Sequence, residues 1–262
     1  LTRNKLIEIS DLSAGYYGKP VIYHIHLTVY EGDFIGIIGP NGGGKTTFIK
    51  TIAGIIKPLS GMLIFYSPEG QAIEKPKLGY LPQVNTFDKS FPISVEEVVL
   101  TGLLSAKGRL RRFRANDKEA VHEVLERLKI SHLASKPIGE LSGGQMQRVF
   151  LARAIVSQPW ILLLDEPSTY ADNRFEAELY ELLVQLNEKM TILMVSHDLG
   201  MIPSYIKSIA CVNGTLHYHP TPEITPEILR VYNCPIELIA HGIVPHRVLS
   251  THQENSSTNE SH

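Results

Sequence analysis

Apolar and polar residues alternate along "KLIEISDLSAGY" (5–16) and "VIYHIHLTVYEGD" (21–33), and many are β-branched, so the first part of the chain is expected to form strands. "FIGIIG" (34–39) reads as a short buried strand. After Gly44 the period changes: Phe48, Ile49, Ile52 and Ile55 fall at helical spacing, with "KPLSG" (57–61) as a stop. In the middle of the chain, Ser94 with Glu97 and Asn116 with Glu119 read as capping boxes, the second opening a helix with Val121, Val124, Leu125 and Leu128 on one face. A third helix is expected to start at "SGGQ" (142–145), its stripe being Met146, Val149, Phe150 and Ala154. "WILLLDEP" (160–167) and "MTILMVSHD" (190–198) are continuous apolar runs of the kind found in strands covered on both faces, with the helical "NRFEAELYELLVQLNEK" (173–189) between them. The order predicts an α/β core interrupted by a helical insertion at about 85–145. Beyond 217 the pattern weakens, and "THQENSSTNESH" (251–262) has the composition of a disordered tail. There is no internal repeat.

Composition narrows this picture without changing it. A chain of 262 residues, 43% hydrophobic and 20% charged, can bury a substantial core and is expected to be globular and soluble. Its formal net charge of -2 gives no global positive field for nucleic acid. The two cysteines, Cys211 and Cys234, and a first segment without a signal or spanning pattern make the cytoplasm the expected compartment.

The candidate chemistry starts at "GPNGGGKTT" (39–47). It fits G-x-x-x-x-G-K-[ST] from Gly39 to Thr46 and sits between an expected strand and an expected helix, which is the context such a loop requires. Small residues such as Gly42, Gly43 and Gly44 let consecutive backbone N–H groups turn inward around phosphate oxygens, and the helix N-terminus adds partial positive charge. Lys45 is expected to reach the β and γ phosphates of a nucleoside triphosphate, and the Thr46 hydroxyl to ligate Mg²⁺. "ILLLDEP" (161–167) ends a second buried strand with Asp165 and Glu166. The first carboxylate suits Mg²⁺ held through water, the second a general base for the attacking water. "SGGQ" offers a second helix terminus with free N–H groups and a serine hydroxyl, so one chain carries two anion-binding ends.

With "LSGGQMQR" (141–148) about twenty positions before Asp165, the chain resembles the ATP-binding cassette (ABC) ATPases, whose signature is LSGGQ. The resemblance runs through six motifs over residues 16–198. It implies a P-loop ATPase core with an N-terminal antiparallel β subdomain and an inserted α-helical subdomain, spanning 1–250 with a variable segment at about 217–250. It implies that Tyr17, or the adjacent Tyr16, stacks on adenine. The loop residues Gly39, Asn41, Gly42, Gly43, Gly44, Lys45, Thr46 and Thr47 would hold ATP. Gln83 in "YLPQV" would be the Q-loop glutamine, touching Mg²⁺; Asp172 in "STYAD" the D-loop aspartate; and His197 in "MVSHD" the switch histidine. Ser142, Gly143, Gly144 and Gln145 would complete the ATP site of an opposing subunit, so that two cassettes close head to tail around two ATP molecules. Ala171 departs from the larger aliphatic residue usual in the D-loop.

The family also drives DNA repair and translation, but a single cassette with a compact insertion and no long heptad run points to transport. The basic run "KGRLRRFR" (107–114) reads as a solvated face near anionic lipid, with nucleic-acid phosphate as the alternative. "FDKSFPISVEEVVLTG", "PIGELSGGQMQRVFLARA" and "CPIELIAHGIVPHRVL" are most similar to zinc- and manganese-type metal-ion importer cassettes; iron-chelate import is the second reading. That resemblance implies a membrane permease subunit, an extracytoplasmic metal-binding protein, a position on the inner membrane face, and no nucleic-acid partner. Finally, His217, His219, Cys234, His241 and His246 crowd into about thirty residues, and imidazole with thiolate suits a regulatory Zn²⁺; ordinary surface and packing roles are the alternative.

Overall fold

The computed structural model describes residues 3–83, 92–104, 113–167, 173–196, 204–222, 238–239 and 246–247. The expected strands β1 (Lys5–Tyr16) and β2 (Lys19–Tyr30) pair as a hairpin that turns through Tyr17 and Gly18, both at positive φ. They join β4 (Pro58–Tyr66) and β5 (Ala72–Ile73) in an antiparallel sheet of order β2-β1-β4-β5. The second sheet has the order β10-β9-β3-β8-β7-β6. It is built from β3 (Phe34–Ile38), β6 (Leu78–Leu81), β7 (Ile161–Asp165), β8 (Thr191–Val195), β9 (Ser208–Asn213) and β10 (Thr215–His219). All neighbours in it run parallel except the β9–β10 edge. β11 (Leu238–Ile239) and β12 (His246–Arg247) form a separate short pair.

The central strands β3, β7 and β8 are buried at every position, as continuous apolar runs require when both faces are covered. Alternate residues feed two cores. Leu162, Leu164, Ile192 and Met194 pack toward the helices α2 (Val95–Leu100), α3 (Ala115–Arg127), α4 (Gly143–Ile155) and α5 (Asn173–Asn187). Ile161, Leu163, Leu193 and Val195 pack with Phe48, Ile49 and Ile52 of α1 (Lys45–Ile52) and with the β1–β2 hairpin. Each fully buried side chain of this size contributes about 1.5–3 kcal/mol of transfer free energy.

Three expectations are corrected. Ile55 lies beyond the end of α1 and is 57% exposed, because the helix stops at Ile52. "KPLSG" ends no simple loop: Pro58 to Gly61 already belong to β4, whose first five residues are exposed. α3 begins at Ala115, not after Asn116, and its first turn is closed by Asp117, whose carboxylate accepts the Arg114 N–H at 2.8 Å. The Ser94–Glu97 box is present as read, and the α4 stripe is in place, with Val149 and Ala154 buried and Met146 and Phe150 packed against the core.

Glycine is required where β6 meets the helical layer. A Cβ at Gly79 would stand 2.3 Å from the Ala154 carbonyl oxygen of α4. Gly79→Ala is expected to cost about 2 kcal/mol and lower the thermal unfolding midpoint by roughly 5 °C. Circular dichroism melts check this, and an unchanged midpoint would show that the two elements separate freely.

Candidate functional site

The carboxyl ends of β3, β6 and β7 lie together on one edge of the parallel sheet, where open α/β sheets gather their ligands. The loop from Gly39 to Gly44 leaves β3 there and leads directly into α1. Its course is set by close backbone approach: at φ 147°, Gly39 would place a Cβ 2.0 Å from the Val212 carbonyl oxygen of β9. The Gly214 N–H of the β9–β10 turn donates to the Gly43 carbonyl at 2.9 Å, and the Gly214 carbonyl accepts the Tyr23 N–H of β2 at 2.8 Å. The loop is thus fixed from both sheets. Gly44, at φ 99°, turns the chain into α1 without a side-chain cap, which leaves the first N–H groups of the helix for an anion.

A cavity of about 280 Å³ opens here, lined by Val21, Asn41, Gly42, Gly44, Lys45, Thr46, Thr47 and Glu166. Lys45 is buried, and its ammonium group donates to the Gly39 and Pro40 carbonyls, each at 2.9 Å. Those carbonyls hold the charge at the mouth of the loop. Thr46 Oγ1 donates to Asp165 Oδ1 at 3.1 Å, joining α1 to the end of β7. The Gln83 amide nitrogen donates to Glu166 Oε2 at 2.6 Å, joining the end of β6 to the same place. Glu166 has a positive φ of 55° and donates its N–H to the Val195 carbonyl of β8. A non-glycine residue in that region is held by its surroundings at a cost of about 1 kcal/mol or more.

Asp165 is 1% exposed, and its Oδ2 has no hydrogen-bond partner among the described residues. Burial raises its pKa, the Thr46 hydrogen bond opposes this, and the neighbouring Glu166 carboxylate raises it further. An orphaned carboxylate oxygen beside a threonine hydroxyl is an oxygen donor set that fits Mg²⁺.

The phosphate loop, Gln83, Asp165 and Glu166 are therefore brought together. Ser142, Gly143, Gly144 and Gln145 do not line this cavity. They begin α4, where the Ser142 hydroxyl accepts the Gln145 N–H at 3.3 Å and Gln145 Oε1 accepts the Ser142 N–H at 3.1 Å. In the single chain the serine hydroxyl thus caps its own helix and takes up one of the terminal N–H groups expected to be free. Neither tyrosine lines the cavity: Tyr17 is fully exposed at the hairpin tip, Tyr16 is half-exposed, and Val21 stands against the loop instead. His197, Ala171 and Asp172 lie outside the described residues, as do Cys234, His241 and all of the basic run except Phe113 and Arg114. His217 and His219 share one face of β10 as expected of an extended segment. Of His246 only the backbone, in β12, is described. Among the described residues no group of three His, Cys, Asp or Glu is arranged to hold a metal ion, and no helix is long and apolar enough to cross a membrane. Tyr80, whose buried hydroxyl has no hydrogen-bond partner among the described residues, was not singled out in the sequence. Its signal was its place in "GYLPQ", three residues before Gln83.

Residues 22–169, more than half of the chain, match the ABC transporter family. The chain belongs to that family. It is an ATP-binding, ATP-hydrolysing cassette, as the resemblance in its motifs implied. It is 42% identical over 215 residues to the zinc uptake system ATP-binding protein ZurA of Listeria innocua, covering 80% of this chain and 83% of that one. It is 37% identical over 220 residues to the zinc import ATP-binding protein ZnuC of Pasteurella multocida, covering 83% and 77%. A chain of an ABC transporter described as metal-chelate type, solved in an inward-facing conformation, superposes with a TM-score of 0.80 at 25% identity, covering 94% and 97%.

The buried Asp165 makes a prediction about stability. Because its folded pKa is raised, the ionised form is disfavoured by folding, so the penalty is present at neutral pH and vanishes below the ordinary aspartate range near about 4. Asp165→Asn is expected to raise the thermal midpoint at pH 7, with the gain shrinking as pH falls toward that range. Melts across pH check this; a variant less stable than the parent at pH 7 would contradict it.

Proposed function

We propose that this cassette is the ATP-hydrolysing subunit that powers import of a metal cation, zinc or manganese, through a separate membrane permease. The observation that carries the reading is the joining of α1, β6 and β7 at one sheet edge by the Thr46–Asp165 and Gln83–Glu166 hydrogen bonds. It gathers a phosphate loop, a metal-side carboxylate and a base around one cavity. The cargo follows from relatives named for zinc uptake and zinc import. Chelated metal is the second reading, supported by the metal-chelate type transporter.

In this reading Gly39, Asn41, Gly42, Gly43, Gly44, Lys45, Thr46 and Thr47 hold the phosphates. Lys45 exchanges its two carbonyl acceptors for phosphate oxygens, a stronger charge-assisted contact. Thr46, Asp165 and Gln83 hold Mg²⁺, which would neutralise developing phosphate charge. Glu166 activates the attacking water, and His197 serves as the switch residue. Tyr16 or Tyr17 stacks on adenine. Ser142 to Gln145, with Asp172, serve the site of a second copy, which explains why α4 starts away from the cavity. The cassette then works as a homodimer against the permease on the inner face of the membrane. The helical insertion at about 85–145 carries the permease contact, and a binding protein delivers the cation outside. The histidines and cysteine of the last segment, His217, His219, Cys234, His241 and His246, are a candidate Zn²⁺ sensor.

Glu166→Gln tests the reading. The amide keeps the shape of the site and removes only the water-activating carboxylate, so ATP binding is expected to persist while turnover falls by at least about a hundredfold. Gel filtration with ATP and Mg²⁺ is expected to show a dimer. Normal turnover and a persistent monomer would refute the base and the shared site, and in vesicles of the assembled transporter the same substitution is expected to stop zinc or manganese uptake.

A further inference from the structure

Tyr80 lies in β6 opposite Leu163 of β7 in parallel register. Asp165, two residues beyond Leu163, projects from the same sheet face. This is the face covered by α1 and the phosphate loop, and the Tyr80 ring packs against its apolar core. The Tyr80 hydroxyl oxygen is buried and has no hydrogen-bond partner among the described residues. Asp165 Oδ2 is in the same condition. A spare donor and a spare acceptor therefore stand on adjacent strands of one face, at its carboxyl edge. Burial, then the Asp165 carboxylate, then the Tyr16 phenol push the Tyr80 pKa upward, so the group stays a protonated donor. Orphaned buried polar atoms are costly, and two complementary ones at a nucleotide site indicate a ligand that satisfies both.

We propose that Tyr80 is a positioning residue for the divalent cation: its hydroxyl and Asp165 Oδ2 together hold one water of the cation's coordination shell. The inference rests on the reading of Asp165 as the metal-side carboxylate. It also gives β6 a role beyond carrying Gln83, since the strand then meets both the base and the metal water. Magnesium keeps several waters when bound to proteins, so orienting one of them orients the cation without a further direct ligand.

The test uses Mn²⁺ as a paramagnetic substitute, titrated into the full chain with a non-hydrolysable ATP analogue and followed by electron paramagnetic resonance. Tyr80→Phe keeps the ring and removes only the hydroxyl. It is expected to weaken Mn²⁺ binding about fivefold, the effect of one lost hydrogen bond, to leave metal-free nucleotide affinity unchanged, and not to lower the thermal midpoint, since the hydroxyl it removes is unpaired in the metal-free chain. Unchanged Mn²⁺ affinity would overturn the inference, as would an equal fall in metal-free nucleotide affinity, which would assign Tyr80 to packing. Asp165→Asn in the same titration separates the two levels. If it loses Mn²⁺ while Tyr80→Phe does not, only the Tyr80 role falls; if it binds Mn²⁺ like the parent, the metal-side assignment falls and this inference with it.

Discussion

The site depends on one close approach, that of the loop after β3 to the carbonyl of Val212 on β9. A side chain at Gly39 would collide with it at 2.0 Å, and one at Gly43 at 2.8 Å, so the loop can lie against the strand only as bare backbone. From that contact the course of the loop, its entry into α1 and the burial of Lys45 follow. The Gly214 turn clamps the same loop to β2, so the antiparallel sheet also fixes the geometry of the phosphate site.

The electrostatics of the edge have a matching logic. A buried lysine, satisfied by two carbonyls, lies a short way from a buried aspartate with one oxygen left over. The lysine's acceptors are neutral and replaceable, and the aspartate's spare oxygen is a cost at neutral pH. Both conditions are relieved by a polyphosphate carrying a divalent cation. The chain thus holds this site at some expense of stability, the exchange expected where preorganised charge serves a ligand.

Much of this was legible in the sequence where a local rule and a motif coincide. "FIGIIG" followed by "GPNGGGKTT" and "ILLLDEP" gave β3, α1 and β7 together with their chemistry, because continuous apolar runs, glycine turns and strand-ending acids are all local signals. β4 was not legible, since "KPLSG" is punctuated like a stop and the strand is exposed for five residues. Short β6 and β9 were missed because four- and six-residue apolar runs gain their strand character only from neighbours in the sheet. The first turn of α3 was misplaced because the cap acts through the backbone of Arg114, a residue without a capping side chain of the usual kind. The orphaned oxygens of Asp165 and Tyr80, and the Gln83–Glu166 hydrogen bond, are properties of strand register and could not be read from spacing.

The central claim is that three strand ends and one loop form a single nucleotide site. Amide hydrogen exchange with and without ATP and Mg²⁺, on the parent and on Lys45→Ala, addresses it most directly. The account predicts that nucleotide slows exchange together at 39–47, at 81–83 and at 165–167, and that Lys45→Ala abolishes all three effects at once. Protection confined to the loop, or protection at all three that persists without Lys45, would contradict it.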